Sequence, residues 1–121
     1  MSRSSKLREC LLQGADEGLM VPGEIVRAAV FARVESSYQI RREEIPEKLE
    51  PFRLALLDLL CGTSGRVMER LIAKYLYKCL KLDFPQNAEW TLTDYVNHAR
   101  HMIEGNGGEK QSNSSSRLRS R

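Results

Sequence analysis

Residues 65–81, GRVMERLIAKYLYKCLK, form the most regular stretch of the sequence. Apolar side chains recur every four residues in two neighbouring rows: Val67, Leu71, Tyr75 and Cys79 in one, and Met68, Ile72, Leu76 and Leu80 in the other. A third row on the far side is cationic and consists of Arg66, Arg70, Lys74 and Lys78. This period predicts an amphipathic helix whose wide apolar face needs other helices to cover it.

Similar apolar periods, separated by proline and glycine, continue on both sides of this stretch. Ser64 is expected to cap its helix, and Thr91 with Asp94 to form a capping box before the last one. The sequence therefore predicts an all-α fold, a small bundle of about five helices in a single domain, 1–104. The helices are predicted, without any strand, over 5–20, 22–36, 49–61, 65–81 and 92–104.

The first two helices are expected to play different roles in the bundle. The first contains Gly14, which weakens its helix propensity. The second has a thin polar face, so we expect it to be central, and its apolar surface predicts pairing in a homodimer. The core is expected to unite Val30, Leu56, Leu59, Leu71, Ile72 and Leu76.

The net charge of +3 belongs to the C-terminal end of the chain. Residues 105–121 contain four basic residues and one acidic residue, so they carry the whole excess, and 1–104 balances. This tail consists of glycine, serine and charged residues, with Leu118 as its only clearly apolar member. We expect it to be disordered, because it cannot bury enough surface to offset the entropy of ordering.

Composition and cysteine number favour a protein of the cytoplasm. Hydrophobic residues make up 41% and charged residues 29%, as in ordinary soluble domains. No apolar run approaches the roughly 20 residues that cross a bilayer, and no signal peptide is visible at the start, so no membrane association is expected. Cys10, Cys61 and Cys79 are odd in number and lack paired spacing, which favours reduced thiols that act as small hydrophobic residues.

Several segments in the middle of the chain resemble a known family. They are GEIVRAAVFARVESSY (23–38), IRREEIPE (40–47), a short helix near Phe52, the glycine turn CGTSG (61–65), RVMERLIAKYLYKCLKLDF (66–84) and DYVNHAR (94–100). Over about 15–102, this order is similar to the Nitrososphaera output domain family, a small helical module of archaea and bacteria. The resemblance implies a signalling or regulatory output domain without an established enzymatic activity, and it supplies no catalytic residues.

His98 and His101 lie three residues apart in the last predicted helix. Together with Cys79 or Cys61 they could ligate a metal. Zinc sites need three or four converging ligands, however, and the spacing provides only two. We therefore expect these histidines to lie at the surface or near the helix end, where cations are favourable, and we predict no metal or cofactor.

Two further segments could carry chemistry, and each has a simpler interpretation. The acidic residues Glu43, Glu44, Glu47 and Glu50 follow one another on a short connector. Paired carboxylates act in catalysis only in a cleft that separates their pKa values, so solvated acids near a helix N-terminus are expected here. The segment 62–65 beside Arg66 could cradle an anion, but it lacks the ending of a phosphate-binding loop, which favours a tight turn.

The cationic row Arg66, Arg70, Lys74 and Lys78 is the candidate interaction surface. Such a row can meet water, an acidic protein partner or nucleic acid. Since no catalytic group is recognisable, the sequence predicts a non-enzymatic regulatory domain that acts through helical protein–protein contacts, with a partner protein or with a second copy. The alternative is a small nucleic-acid-binding regulator that uses this row and the arginine-rich tail.

Overall fold

The computed structural model describes residues 3–87 and 89–108, with side chains for 5–87 and 89–104. It has five α-helices and, within the described residues, no strand. They are α1 (Arg3–Met20), α2 (Glu24–Tyr38), α3 (Leu49–Leu60), α4 (Gly62–Leu80) and α5 (Leu92–Gly108), and a 3₁₀ turn, Arg42–Glu44, lies between α2 and α3. The prediction of an all-α bundle of about five helices is confirmed.

Several helix ends differ from the prediction. The cap assigned to Ser64 is wrong, because α4 already begins at Gly62, and Cys61 alone separates it from α3 with a left-handed φ of 65°. Helix α2 begins two residues later than predicted and continues to Tyr38, where Gln39 ends it with a φ of 58°. Helix α5 continues past Gly105 to Gly108, and 109–121 of the predicted tail lie outside the described residues.

The capping box before α5 is confirmed. The backbone N–H of Thr91 donates to Asp94 Oδ2 at 2.9 Å, and the backbone N–H of Asp94 donates to Thr91 Oγ1 at 3.3 Å. Two backbone donors that the helix cannot satisfy internally thus find side-chain acceptors, which fixes the start of α5.

Helices α1 and α4 form the centre of the molecule and make its most extensive contact. Gly14 and Gly18 of α1 lie against α4, where a Cβ at Gly14 would come within 2.9 Å of the carbonyl oxygen of Ile72. A Cβ at Gly18 would meet Ile72 Cγ1 at 2.8 Å. The absence of these side chains lets the two backbones approach closely, so the glycine that weakens α1 as an isolated helix is what places it in the core.

Cys10 of α1 and Cys79 of α4 form a disulfide bond across this contact, and their Cα atoms are 5.5 Å apart. The interpretation of all three cysteines as reduced thiols is therefore wrong for this pair and holds only for Cys61, which is exposed. The two cysteines are 69 residues apart, and only the close approach of the helices brings them together. With three cysteines in the chain, the sequence alone could not identify the pair.

The expected central position of α2 is also wrong, since it buries only Val30 and Val34. By contrast, α1 places a full apolar face in the core, and we attribute this difference to the two glycines. Of the predicted core residues, Val30, Leu56, Ile72 and Leu76 are buried, whereas Leu59 and Leu71 are partly buried against them. Val67, from the predicted apolar row of α4, is 55% exposed.

The connector between α2 and α3 is fastened to α1 by charged side chains. Arg8 of α1 pairs with Glu47 and donates to the carbonyl oxygen of Glu43, and Arg42 pairs with Asp16 of α1. Ile40 and Ile45 of the connector are buried, as 2% and 0% of their surfaces are exposed. No helix within the described residues has the length and apolar character that crossing a bilayer requires.

Candidate interaction surfaces

The cationic row of α4 does not form a continuous charged edge. Arg70 turns towards the loop after α4, where its guanidinium lies 3.2 Å from Gln86 Oε1 and 3.4 Å from the Tyr95 hydroxyl, over the ring of Phe84. Arg66, Lys74 and Lys78 are exposed. Neither lysine makes an ion pair with any residue that the structure describes. Arg70 thus holds the loop in place, and the exposed part of the row is interrupted.

Glu69 of α4 is a buried carboxylate. Only 2% of its surface is exposed, and Oε1 accepts a hydrogen bond of 2.8 Å from the backbone N–H of Leu92 at the start of α5. Its Oε2 has no hydrogen bond but lies 3.5 Å from a guanidinium nitrogen of Arg53 in α3. A carboxylate is favourable at a helix N-terminus, so Glu69 joins α3, α4 and α5.

The position of Glu69 in the sequence already indicated that it would be buried. Position 69 lies beside Met68 and precedes Ile72 and Ala73 by three and four residues, so it falls on the buried face of α4. A charged residue at a core position must be paired, since an isolated buried charge is costly. The missing information was the partner, because Arg53 and Leu92 come from other helices.

The acidic residues of the predicted cluster are distributed among separate ion pairs. Glu47 pairs with Arg8, and Glu44 pairs with Lys48 at 3.5 Å. A backbone hydrogen bond from Arg41 lowers the pKa of Glu44. Glu50 accepts from Arg53 at 2.6 Å and from Thr93 Oγ1 at 2.7 Å, and these bonds lower its pKa. Both carboxyl groups are thus stabilised in the charged form, which is opposite to the raised pKa of a general acid.

His98 belongs to an aromatic cluster between α4 and α5, so the expected surface position is wrong for it. Its Nδ1 lies 2.8 Å from the Tyr77 hydroxyl, and the two rings stack at 6.0 Å. The Tyr77 hydroxyl also donates to the carbonyl oxygen of Tyr95 at 2.6 Å, and burial raises the pKa of Tyr77. Burial, together with the nearby His101, lowers the pKa of His98. His101 is exposed, as predicted.

Trp90 and Phe84 complete the aromatic cluster. The ring of Trp90 lies edge-on to Tyr95 at 5.2 Å, and Phe84 stacks on Tyr95 at 4.9 Å. Trp90 is partly buried against the core. These rings therefore hold the loop and α5 on α4, which leaves them poorly placed to stack on bases.

The fold brings no further ligating side chain of the described residues to the candidate metal and anion sites. Cys79 is bonded to Cys10 and is not free to bind a metal with His98 and His101. Within the described part of the chain, no three of the histidine, cysteine and acidic side chains converge as a metal site would require. The segment 62–65 is the first turn of α4, and Arg66 points its Nε towards Glu69, 4.0 Å away.

Among the described residues, the most exposed large apolar side chain belongs to α2. Ile25 is 85% exposed, and Ala28, Ala29 and Ala32 are exposed on the same side of the helix. We call these four residues the α2 face. Beside it, a groove of about 270 Å³ between α2 and α3 is lined by Ile25, Val26, Ala29, Val30, Arg33, Leu59 and Leu60. Among the described residues of this lining, only Arg33 carries a charge.

These surfaces differ in what covers them. Arg70 is occupied within the molecule, and the polar groups between α3, α4 and α5 largely satisfy one another. The α2 face, in contrast, is apolar, and no residue that the structure describes covers it. Comparisons with protein family models, with curated proteins and with solved structures found no match to this chain.

Proposed function

We propose that this chain is a non-enzymatic regulatory interaction domain that binds a helix of a protein partner on the α2 face. The observation that carries the proposal is the exposure of Ile25, 85%, beside an apolar groove. Exposed apolar surface of this kind has a free-energy cost in water that a partner relieves. The resemblance to a helical output module supports the same class of function.

The chemistry of the α2 face limits the partner. Alanine side chains let another helix come close, and the groove formed with Leu59 and Leu60 accepts apolar side chains. Arg33 at its edge favours an acidic residue at one side of the bound helix. The partner surface is therefore a helix with an apolar face and a flanking carboxylate.

Nucleic-acid binding, the alternative, has weaker support from the described residues. Arg70 already holds Gln86 and Tyr95, and the aromatic rings near it pack against one another. Lys74 and Lys78 are the cations of the row that are exposed and outside any described ion pair. Two such charges provide little of the phosphate neutralisation that drives binding to nucleic acid.

Photo-crosslinking in the native cell tests the proposal. We would place a benzoyl-phenylalanine at position 29, in the α2 face, and, as the matched control, at the exposed position 78 of α4. The expected result is a crosslinked protein species from position 29 and none from position 78. Crosslinks from position 78 alone would move the contact to the cationic row, and the absence of protein crosslinks from position 29 would overturn the proposal.

A further inference from the structure

The α2 face carries features that a second copy of α2 could match. Ile25, Ala28, Ala29 and Ala32 follow a spacing of three and four residues, so they face one direction along the helix. Val21, which precedes α2, is also 56% exposed. A like helix therefore meets a long apolar face with small side chains at its middle.

The charges on α2 fall into two groups. Glu24 and Arg27 are satisfied within the molecule, since Arg27 donates to Glu24 at 3.0 Å and pairs with Asp16 at 3.4 Å. Arg33 and Glu35 are exposed and make no ion pair with any described residue. Because they are two residues apart, they lie roughly 200° apart around the helix, on opposite flanks of the α2 face. The helix thus presents one unpaired charge of each sign.

The orientation of a helix pair determines which flanks meet. In a parallel pair related by a twofold axis along the helices, each flank meets the opposite flank of the other copy at the same height. Arg33 of one copy then approaches Glu35 of the other, and the contact occurs twice. In an antiparallel pair like flanks meet, which would bring Glu24 and Glu35 of the two copies together.

We infer that the partner of the α2 face is a second copy of this chain, in a parallel twofold pair of α2 helices with reciprocal contacts between Arg33 and Glu35. The inference rests on the proposed function and identifies its partner. A 15-residue helix is about 22 Å long, so this interface is smaller than that of a stable dimer. The expected dissociation constant is accordingly on the order of 10–100 μM.

Charge reversal tests the pairing, with dimerisation of the purified chain measured by sedimentation equilibrium. Arg33→Glu and Glu35→Arg each place like charges together twice and should weaken the dimer about tenfold. The double variant restores opposite charges and should return the affinity to within about twofold of the original. Single variants without effect, or a double variant as weak as either single one, would overturn the inference.

Cysteine crosslinking tests the orientation. In a Cys61→Ser background, Ala32→Cys should form a covalent dimer on oxidation, because equivalent positions face each other in a parallel pair, whereas the exposed control Lys6→Cys should not. Preferential crosslinking between an Ile25→Cys chain and an Ala32→Cys chain would indicate an antiparallel pair and would contradict the inference.

The same measurements separate this inference from the proposed function. A purified chain that stays monomeric at about 1 mM, well above the expected dissociation constant, would overturn the second-copy pairing. If position 29 then crosslinks to a different protein in the cell, the interaction function stands with another partner. If position 29 crosslinks to no protein at all, both proposals fail.

Discussion

The two sides of this bundle differ in how tightly their helices pack. Where α1 meets α4, glycine lets the backbones touch, a disulfide bond joins the helices, and Leu11, Ile72 and Leu76 are buried. Where α2 meets α3, the contact is shallower, and Ile25 beside it is exposed. The first contact buries most of the apolar surface of its two helices, whereas the second leaves Ile25 exposed, on the face where we propose that a partner binds.

The disulfide bond strengthens this contrast. Joining positions 69 residues apart restricts the unfolded chain, an effect of about 2–4 kcal/mol for typical natural disulfides. The bond lies at the α1–α4 contact and does not involve α2. Disulfides persist in oxidising compartments, whereas cytosolic thiols are kept reduced. A cytoplasmic location, which stays a prediction, would therefore require this pair to be protected from reduction or to function without the bond.

The largest expected effect comes from removing a side chain at the α1–α4 contact. Leu76 has no exposed surface, so Leu76→Ala should lower the free energy of unfolding by about 2–5 kcal/mol, through lost burial and the cavity left behind. The matched control on the other side is Ile25→Ala, which should change it by less than about 0.5 kcal/mol. Urea unfolding, followed by the fluorescence of Trp90 in dilute protein, measures both. Equal losses would show that the two sides are packed alike.

The next largest effect is expected from a substitution at the close approach of α1 and α4. A methyl group at Gly14 would meet the backbone of Ile72 at 2.9 Å and that of Leu76 at 3.2 Å, and backbone atoms cannot rotate away. Gly14→Ala should therefore lower the free energy of unfolding by about 1–3 kcal/mol, although alanine favours helix formation. Thermal unfolding followed by circular dichroism gives the comparison.

Gly62→Ala is the control for this substitution. A methyl group at Gly62 of α4 has no atom within 4 Å, so the change should be neutral or slightly stabilising. If Gly14→Ala is equally harmless, the helices are not held together by the close approach of their backbones.

The sequence was sufficient to predict the helices, because their apolar periods are regular and proline or glycine separates them. The row through Ile72 and Leu76 identified the buried face of α4, and Thr91 with Asp94 identified the start of α5. These are local signals, in which the residues that make the contact are neighbours along one helix. The thin polar face of α2 was likewise visible, although the central position inferred from it was wrong.

The sequence was insufficient wherever two helices had to be placed relative to each other. In the sequence, Gly14 indicates only a weak helix. Its role in a close contact becomes apparent only when α4 is placed against it. The pairing of Cys10 with Cys79, and the burial of Glu69 against Leu92, depend on the same arrangement. For the cationic row, the sequence showed the regular spacing along α4, but the turning of Arg70 towards Gln86, which interrupts the row, depends on the path of the loop.

The smallest expected effect is a pH dependence at the α4–α5 contact, on the tightly packed side. Burial lowers the pKa of His98, so the folded protein holds this ring neutral at a pH where the unfolded chain would protonate it. The contribution of His98 to stability is therefore complete above the ordinary pKa of about 6.5 and declines as the pH falls from there through the lowered folded value. Since the ring is partly solvated, we expect this loss of unfolding free energy to be less than about 1 kcal/mol.

His98→Phe isolates this contribution, because phenylalanine keeps a ring beside Tyr77 and Trp90 but cannot be protonated. The loss of unfolding free energy between about pH 7.5 and pH 5 should be smaller in this variant than in the original chain, whatever the variant's stability at neutral pH. His101→Gln is the control: its ring is exposed and only adds to the shift at His98, so the pH dependence should decrease slightly. If the pH dependence is unchanged in His98→Phe, His98 is as well solvated in the folded protein as in the unfolded chain. The α4–α5 contact would then not be tightly packed around this ring.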